Sequence, residues 1–176
     1  TLIKDICTRV TDNSPGKVLQ ALDSELSSTL NHNLEDGTKP SDGMDIIVCE
    51  IDLRTYYMRY ASAMRPMIVY KNGEEIFIPG SRNSIGGHYE REDNIFTDEG
   101  LQLSKGDIVY LFSDGYSDQF GGPMGKKFKM VRLKNLLQDI HSLPMEEQYN
   151  QVSNNFNIWK ENYAQVDDVL FMGIKL

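Results

Sequence analysis

The apolar residues near the start of the chain recur with the spacing of amphipathic helices. Ser14-Pro15 interrupts the pattern, and serine followed by a first-turn proline is typical of a helix start. The pattern predicts helical structure over residues 1–34 and a loop over residues 35–41. The helical face is made by Leu2, Ile3, Ile6, Val10, Val18, Leu19, Leu22, Leu26 and Leu30.

From Met44 onward the apolar spacing changes to that of β-strands. Short strands are predicted at residues 46–51, 56–61, 67–70, 75–78 and 108–111. Asn72-Gly73 is typical of a type I′ hairpin between the third and fourth of them.

Helical spacing returns in the last third of the chain. Residues 131–137 and about 144–163 are predicted helices, and residues 169–174 predict a final strand. The core stripe of the longer helix is predicted to consist of Met145, Tyr149, Val152, Phe156 and Trp159. Because no repeat or linker interrupts the pattern, it predicts one α+β domain over residues 1–176, with helices packed on sheet layers.

Composition and charge narrow the class of protein. The net charge of −8 and the pI near 4.9 argue against a nucleic-acid partner, and the lysine cluster at residues 125–129 is predicted to be a solvated turn. Cys7 and Cys49 sit in apolar patterns and are predicted to be free, buried thiols, which fits a cytoplasmic location. No apolar run reaches the ~20 residues that span a bilayer, so no membrane segment is predicted in the chain. It begins at Thr1 rather than Met, so we expect a fragment of a longer protein.

Two acidic segments carry the candidate chemistry. The first, Ser113-Asp114-Gly115, follows a predicted strand, and the second, Asp167-Asp168, precedes another. Both strands are predicted to be buried, and if they are antiparallel neighbours, the acidic segments meet at one rim of the sheet. Carboxylates gathered without basic partners favour hard divalent cations such as Mg²⁺ and Mn²⁺. The sequence therefore predicts a metal site, and an incomplete one.

Six segments in order resemble the metal-dependent protein serine/threonine phosphatases of the protein phosphatase 2C-like class, especially their bacterial SpoIIE-like branch. The resemblance covers residues 15–176. The segments are Asp42-Gly43-Met44-Asp45-Ile46 with Ile51-Asp52, Tyr60-Ala61-Ser62-Ala63-Met64-Arg65-Pro66, Ser84-Ile85-Gly86, Leu103-Ser104-Lys105-Gly106-Asp107, Phe112 to Asp118, and Gln165-Val166-Asp167-Asp168.

The resemblance implies a four-layer α-β-β-α sandwich of two antiparallel sheets flanked by helices, with a two-metal centre of Mn²⁺ or Mg²⁺. It implies that Asp114 is a metal ligand and that Gly115 makes the turn that aims it. It gives Asp167 as the second ligand, with Asp168 as the alternative. Asp114 and Asp167 would then be the catalytic residues, acting through a metal-activated water on phosphoserine or phosphothreonine.

One part of the family pattern is missing. The family places its first metal aspartate in an Asp-x-x-Gly-His-Gly-like motif, and nothing in this chain matches it. We expect a phosphatase domain that lacks its N-terminal strands and first metal motif, with weak metal binding and weak activity. Trimming is the favoured explanation, and natural loss of the motif is the other.

The resemblance implies partners as well as chemistry. They would be a phosphorylated protein substrate of the anti-sigma-factor antagonist type and an upstream sensor domain; the oligomeric state, including a homodimer, is left open. The alternative function is a catalytically inactive regulatory module of the same fold. A third alternative, an unrelated metal-binding α+β domain, predicts that the two acidic segments do not converge.

Several other polar residues receive structural interpretations. For Asp118 a helix cap is favoured over a distant metal-shell position, and Asp42 and Asp45 are predicted to lie near a strand start. For Arg65 a surface turn is favoured over a phosphate contact. Gly86-Gly87 is assigned to backbone geometry, and none of His32, His88 and His141 is assigned to catalysis.

Overall fold

The computed structural model describes residues 2–10, 14–32, 43–86 and 95–176, which form two compact units. Its helices are α1 Leu2–Arg9, α2 Pro15–His32, α3 Gly115–Asp118, α4 Met130–Ile140 and α5 Met145–Lys160. Its strands are β1 Ile46–Asp52, β2 Tyr57–Ala63, β3 Met67–Lys71, β4 Glu74–Ile78, β5 Glu99–Gln102, β6 Ile108–Phe112, β7 Phe120–Gly121, β8 Lys126–Lys127 and β9 Phe171–Lys175. The predicted loop at residues 35–41, Asp42, Gly87 and His88 lie outside the described residues.

The first unit comprises residues 1–66 and 79–103 and contains an antiparallel sheet of order β1-β2-β5. Helix α2 packs on β1 and β2, where the small buried residues Ala61 and Ala63 allow a close approach. Its core consists of Ile6, Val18, Leu19, Leu22, Ala61, Ala63, Ile85 and Phe96.

The second unit comprises residues 67–78 and 104–176 and contains an antiparallel sheet of order β4-β3-β6-β9. Asn72 and Gly73 have φ of 52° and 80°, so the β3–β4 hairpin has the left-handed turn that this pair favours. Side chains of α3, α4 and α5 form one core with the central strands; its buried members are Ile68, Tyr70, Ile108, Tyr110, Phe112, Tyr116, Phe128, Leu133, Leu137, Ile140 and Val152.

The predicted α+β class, with antiparallel sheets and helices packed on them, is confirmed. None of the helices in the described part of the chain is long and apolar enough to cross a membrane. Cys7 and Cys49 are free, but the predicted burial is wrong for Cys7, which is exposed, while Cys49 is half-buried.

Three details of the second unit correct the predictions. Strand β9 begins at Phe171, two residues later than predicted, and is half-buried because it forms one edge of the sheet among the described strands. Tyr149 is 71% exposed and lies outside the core stripe. The buried position on that turn of α5 belongs to Gln148, which accepts a hydrogen bond from the Tyr110 hydroxyl and donates to the carbonyls of His141 and Leu143. With these partners a buried amide is tolerated.

Candidate metal centre

The pairing of β6 with β9 brings the two acidic segments side by side. Phe112 lies opposite Phe171 in this antiparallel pair, so the residues after the first and before the second share one rim of the sheet. Beyond the last strand residues, Ser113 N–H donates to the Leu170 carbonyl at 2.9 Å. The Ser113 hydroxyl donates to the Asp168 carbonyl at 2.8 Å and accepts from Leu170 N–H at 2.9 Å. The acidic segments are therefore in direct contact within the second unit.

Gly115 makes this contact close. A Cβ placed on Gly115 would lie 2.4 Å from the Asp168 carbonyl oxygen, well inside van der Waals contact. The requirement for glycine here comes from the approach of another backbone segment rather than from a left-handed turn. Gly115 thus lets the Asp167-Asp168 step lie directly against the start of α3.

Asp114 occupies the N-cap position of α3, the single helical turn that follows β6. Its carbonyl accepts from Asp118 N–H at 2.8 Å and from the Ser117 hydroxyl at 3.1 Å. The residue is half-buried, whereas Asp167 and Asp168 are exposed. The backbone of Asp114 is therefore held in place by the helix that begins immediately after it.

The loop that carries Asp167 is anchored at its other end by Gln119. The Gln119 amide donates to the Ala164 carbonyl at 2.9 Å, and its backbone carbonyl accepts from the Trp159 indole at 3.0 Å. Gln119 is fully buried. The segment from Ser113 to Gln119 and the segment from Ala164 to Asp168 are consequently bonded to each other at both ends.

The sequence predicts that Asp118 caps the start of a helix, but it is the last residue of α3. The helix runs only from Gly115 to Asp118, and its N-cap position belongs to Asp114. The Asp118 carboxylate forms an ion pair with Lys127 of β8 at 2.8 Å. The lysine cluster predicted as a turn is therefore partly a short strand that faces one carboxylate near the rim.

The donor set fits a hard divalent cation in kind but falls short in number. The two acidic segments carry the carboxylates of Asp114, Asp167 and Asp168, whose oxygens are donors that Mg²⁺ and Mn²⁺ prefer. Within the described residues, no three or more histidine, cysteine or acidic side chains are grouped closely enough to hold a metal ion. The described residues therefore form no complete metal site, although the carboxylates beside the contact between the two acidic segments are of the kind that such cations prefer.

The remaining candidates have structural contacts. In the first unit, Arg65 follows β2 outside any strand, as the turn interpretation predicts; its side chain is 20% exposed and its guanidinium lies 3.9 Å from the Asp45 carboxylate. Asp45 also accepts a hydrogen bond from the Ser84 hydroxyl. In the second unit, His141 is the C-cap residue that follows α4, with Nδ1 2.8 Å from the Gln138 carbonyl, and its ring stacks on Tyr70.

The buried Tyr110 and Tyr116 of the second unit and the Cys49 thiol of the first unit do not supply acid–base groups at neutral pH. Burial raises the pKa of Tyr110 to about 12, and it also raises the pKa of Tyr116, which starts the packing beneath the rim. In the first unit, burial raises the pKa of Cys49 to about 12, so its thiol stays protonated near neutral pH.

Sequence reasoning quoted Ser113 within its motif but gave it no role, and it passed over Gln119. Both act through partners about 45 to 57 residues away in the chain, which local patterns do not reveal. The only local signal is a polar residue directly beside an apolar strand at Ser113.

The fold is shared with bacterial phosphatase domains of known structure. The chain is similar to the SiaA-PP2C domain of Pseudomonas aeruginosa, with a TM-score of 0.85, 23% identity, and coverage of 99% of this chain and 66% of that one. It is similar to a structure of the PP2C phosphatase domain with a fragment of the regulatory domain of SpoIIE from Bacillus subtilis, with a TM-score of 0.71, 15% identity, and coverage of 99% and 48%. RsbX in complex with magnesium gives a TM-score of 0.55 at 16% identity, with coverage of 97% and 69%.

These identities are low enough that the structures establish the fold alone. The chain spans about two thirds of the SiaA domain and about half of the SpoIIE chain. No curated protein sequence matches it. The family model for Stage II sporulation protein E, however, matches residues 5–176, which is nearly the whole chain. This chain therefore belongs to the SpoIIE family, whose fold is that of the PP2C-like phosphatases.

Proposed function

We propose that this chain is the phosphatase domain of a bacterial signalling protein and that it hydrolyses phosphoserine or phosphothreonine on a protein substrate. The observation that carries the proposal is the direct contact between the Ser113-Asp114-Gly115 corner and the Asp167-Asp168 step. Membership of the SpoIIE family supports it. The third alternative, in which the acidic segments lie apart, is contradicted by this contact.

In this proposal the acidic rim holds Mn²⁺ or Mg²⁺, as RsbX holds magnesium. Asp114 and Asp167 are the ligands and catalytic residues, Asp168 is the alternative ligand, and Gly115 lets the two segments approach. When bound, a pair of such cations supplies a water with a pKa near neutral and neutralises the charge of the phosphoryl group. The chain's own part is to hold carboxylate oxygens at fixed positions and to bring the phosphorylated residue against the rim.

Lys127 has a defined place in this scheme. Its ammonium group pairs with Asp118, one helical turn after Asp114, and so offsets negative charge beside the rim. This arrangement limits the repulsion that a dianionic phosphate meets as it approaches an acidic surface.

The proposal extends to the setting of the domain. The substrate is a phosphorylated regulator, with the anti-sigma-factor antagonist type as the family-based choice, and the reaction takes place in the cytoplasm. An upstream sensor domain controls it, as the presence of a regulatory domain in SpoIIE suggests. A regulatory module without activity remains the second candidate, because the described residues hold no group of three metal-binding side chains.

The test is Mn²⁺-dependent hydrolysis of a phosphoserine peptide by the natural protein at its full length. We expect Asp114→Asn and Asp167→Asn each to lower kcat/KM by more than about 100-fold, because loss of a ligand exceeds the 10–100-fold cost of losing an outer contact. Asp139→Asn, at an exposed aspartate of α4, is the matched control and should change kcat/KM by less than about twofold.

Each outcome separates the two candidates. Metal-stimulated turnover that disappears in Asp114→Asn supports the enzyme. No metal-stimulated turnover by the full-length protein, with correct folding, favours the regulatory module. Equal turnover by the natural protein and Asp114→Asn removes Asp114 from catalysis.

A further inference from the structure

The Ser113 side chain bridges two backbone groups of the opposite acidic segment. Its hydroxyl donates to the Asp168 carbonyl at 2.8 Å and accepts from Leu170 N–H at 2.9 Å. A hydroxyl can donate and accept a hydrogen bond at the same time. A cysteine thiol does both only weakly, and an alanine side chain does neither. Ser113 is therefore bonded on both sides of Val169, the residue that links Asp168 to Leu170.

This bridge lies where the regular sheet has ended. The β6–β9 pairing stops at Phe112 and Phe171, and the next residues are not in strands. Past the last pair, a single backbone bond, from Ser113 N–H to the Leu170 carbonyl, continues the ladder. The hydroxyl adds the two bonds that keep the segments together for two further residues, up to Asp168.

The carbonyl of Asp168 is also fixed from a second side. Its oxygen lies only 2.4 Å from the position that a Cβ of residue 115 would take, so it packs directly against Gly115. Ser113 and Gly115 flank Asp114 in the sequence, so the two residues next to one acidic side chain both contact the backbone of the other acidic step. A shift of the Asp167-Asp168 step is thus coupled to the position of Asp114.

We propose that Ser113 is a positioning residue of the metal site, whose hydroxyl sets the separation between Asp114 and the Asp167-Asp168 step. The inference rests on the proposed function, since it gives Ser113 a role toward the same cation. Two cation-binding segments that drift apart lose affinity even when every ligand is present, because the ligand geometry is no longer preorganised. Ser113 acts on this geometry and touches neither substrate nor metal.

The experiment compares Ser113→Ala with Ser113→Thr in the full-length natural protein. Mn²⁺ titration by calorimetry should show affinity lower by about 10-fold or more in Ser113→Ala, the size of an outer-shell effect. Ser113→Thr retains the hydroxyl and should bind within about twofold of the natural protein. Ser142→Ala, at an exposed serine of the same unit, is the matched control and should bind Mn²⁺ unchanged.

A second readout needs no metal and no activity. In the metal-free protein, the Leu170 amide should exchange with solvent faster in Ser113→Ala than in the natural protein or in Ser113→Thr, because it has lost its acceptor. Amides of β6 should exchange at unchanged rates, which shows that the variant is folded. At saturating Mn²⁺ the kcat of Ser113→Ala should return to within about threefold of the natural value, since the ligands themselves remain.

The outcomes distinguish this inference from the function on which it rests. Unchanged Mn²⁺ affinity in Ser113→Ala, with affinity lost in Asp114→Asn, overturns the role of Ser113 and leaves the phosphatase in place. An unchanged Leu170 exchange rate shows that the bridge does not hold the segments and also overturns the role. A natural protein that binds neither Mn²⁺ nor Mg²⁺ overturns the proposed function and this inference together.

Discussion

The β6–β9 pair has aspartates beyond both of its ends, and the two ends use them differently. At the end next to the chain terminus, Asp107 is buried and its two carboxylate oxygens accept the N–H groups of Asn72 and Ser104, at 2.9 and 2.8 Å. At the other end, Asp167 and Asp168 are exposed, and the contact that holds them to the opposite segment passes through the Asp168 backbone carbonyl.

This difference separates a structural aspartate from a candidate ligand more clearly than the residue type does. A buried carboxylate whose two oxygens both accept backbone N–H groups stabilises a turn and has little left for a cation. At the rim, an Asp167 carboxylate oxygen accepts the neighbouring Asp168 N–H at 2.7 Å, whereas the bonds that hold this step to Ser113 use the Asp168 carbonyl and the Leu170 N–H.

Asp107→Ala should destabilise the protein by roughly 1.5–3 kcal/mol, because it removes the buried, charged acceptor of the Asn72 and Ser104 N–H groups. Urea unfolding followed by circular dichroism measures this loss. Mn²⁺ affinity of the remaining folded protein should not change. A variant as stable as the natural protein would show that Asp107 is not the anchor of this end.

Gly115→Ala should instead change Mn²⁺ affinity. The added Cβ would meet the Asp168 carbonyl at 2.4 Å and displace the acidic step, so we expect Mn²⁺ affinity to fall by about 10–100-fold. Calorimetric titration measures the affinity.

Gly106→Ala is the matched control at the structural end. It has nothing within 4 Å of its Cβ position but a φ of 96°, so it should cost roughly 1–2 kcal/mol of stability and leave Mn²⁺ affinity as it was. Equal Mn²⁺ affinities in the natural protein and Gly115→Ala would contradict the close approach.

Alkaline pH should weaken the fold through buried groups and not through the acidic rim. Burial raises the pKa of Cys49 from 9.0 and that of Tyr110 from 10.0, each to about 12. The folded state therefore favours the protonated forms, so their contribution is complete below pH about 9 and is lost as the pH rises toward about 12. The midpoint of thermal unfolding should be level up to pH about 9 and then fall.

Two variants assign this alkaline limb. Tyr110→Phe should make the fall shallower, because it removes one of the titrating groups, although it also removes the bond to Gln148. Asp114→Asn should leave the slope unchanged. A midpoint that stays level to pH 11 would contradict the assignment.

The sequence predicts those parts of the fold that depend on local patterns. Helical spacing located α2 and α5, and Asn72-Gly73 located the β3–β4 hairpin, because these signals come from residues a few positions apart. Order along the chain placed one acidic segment after β6 and the other before β9, and antiparallel pairing then puts them at one rim.

Other features depend on tertiary partners that no local pattern contains. Strand β5 has Leu101 as its one large apolar residue and is formed by pairing with β2, so its sequence does not distinguish it from a loop. Gln148 is buried because the Tyr110 hydroxyl comes from another element, whereas an apolar stripe assigns that place to Tyr149.

Within the candidate site, the sequence indicates the acidic residues but not the groups that position them. Ser113 and Gln119 find their partners 55 to 57 and 45 residues away, respectively, and their role follows only from those contacts.

The most direct test of the account is Mn²⁺ binding by the full-length natural protein, measured by calorimetry beside Asp114→Asn and Asp107→Asn. We expect Asp114→Asn to weaken binding by more than about 100-fold, whereas folded Asp107→Asn should bind Mn²⁺ as the natural protein does. Equal Mn²⁺ affinities in the natural protein and Asp114→Asn would contradict the claim that the rim beyond β6 and β9 is a metal site.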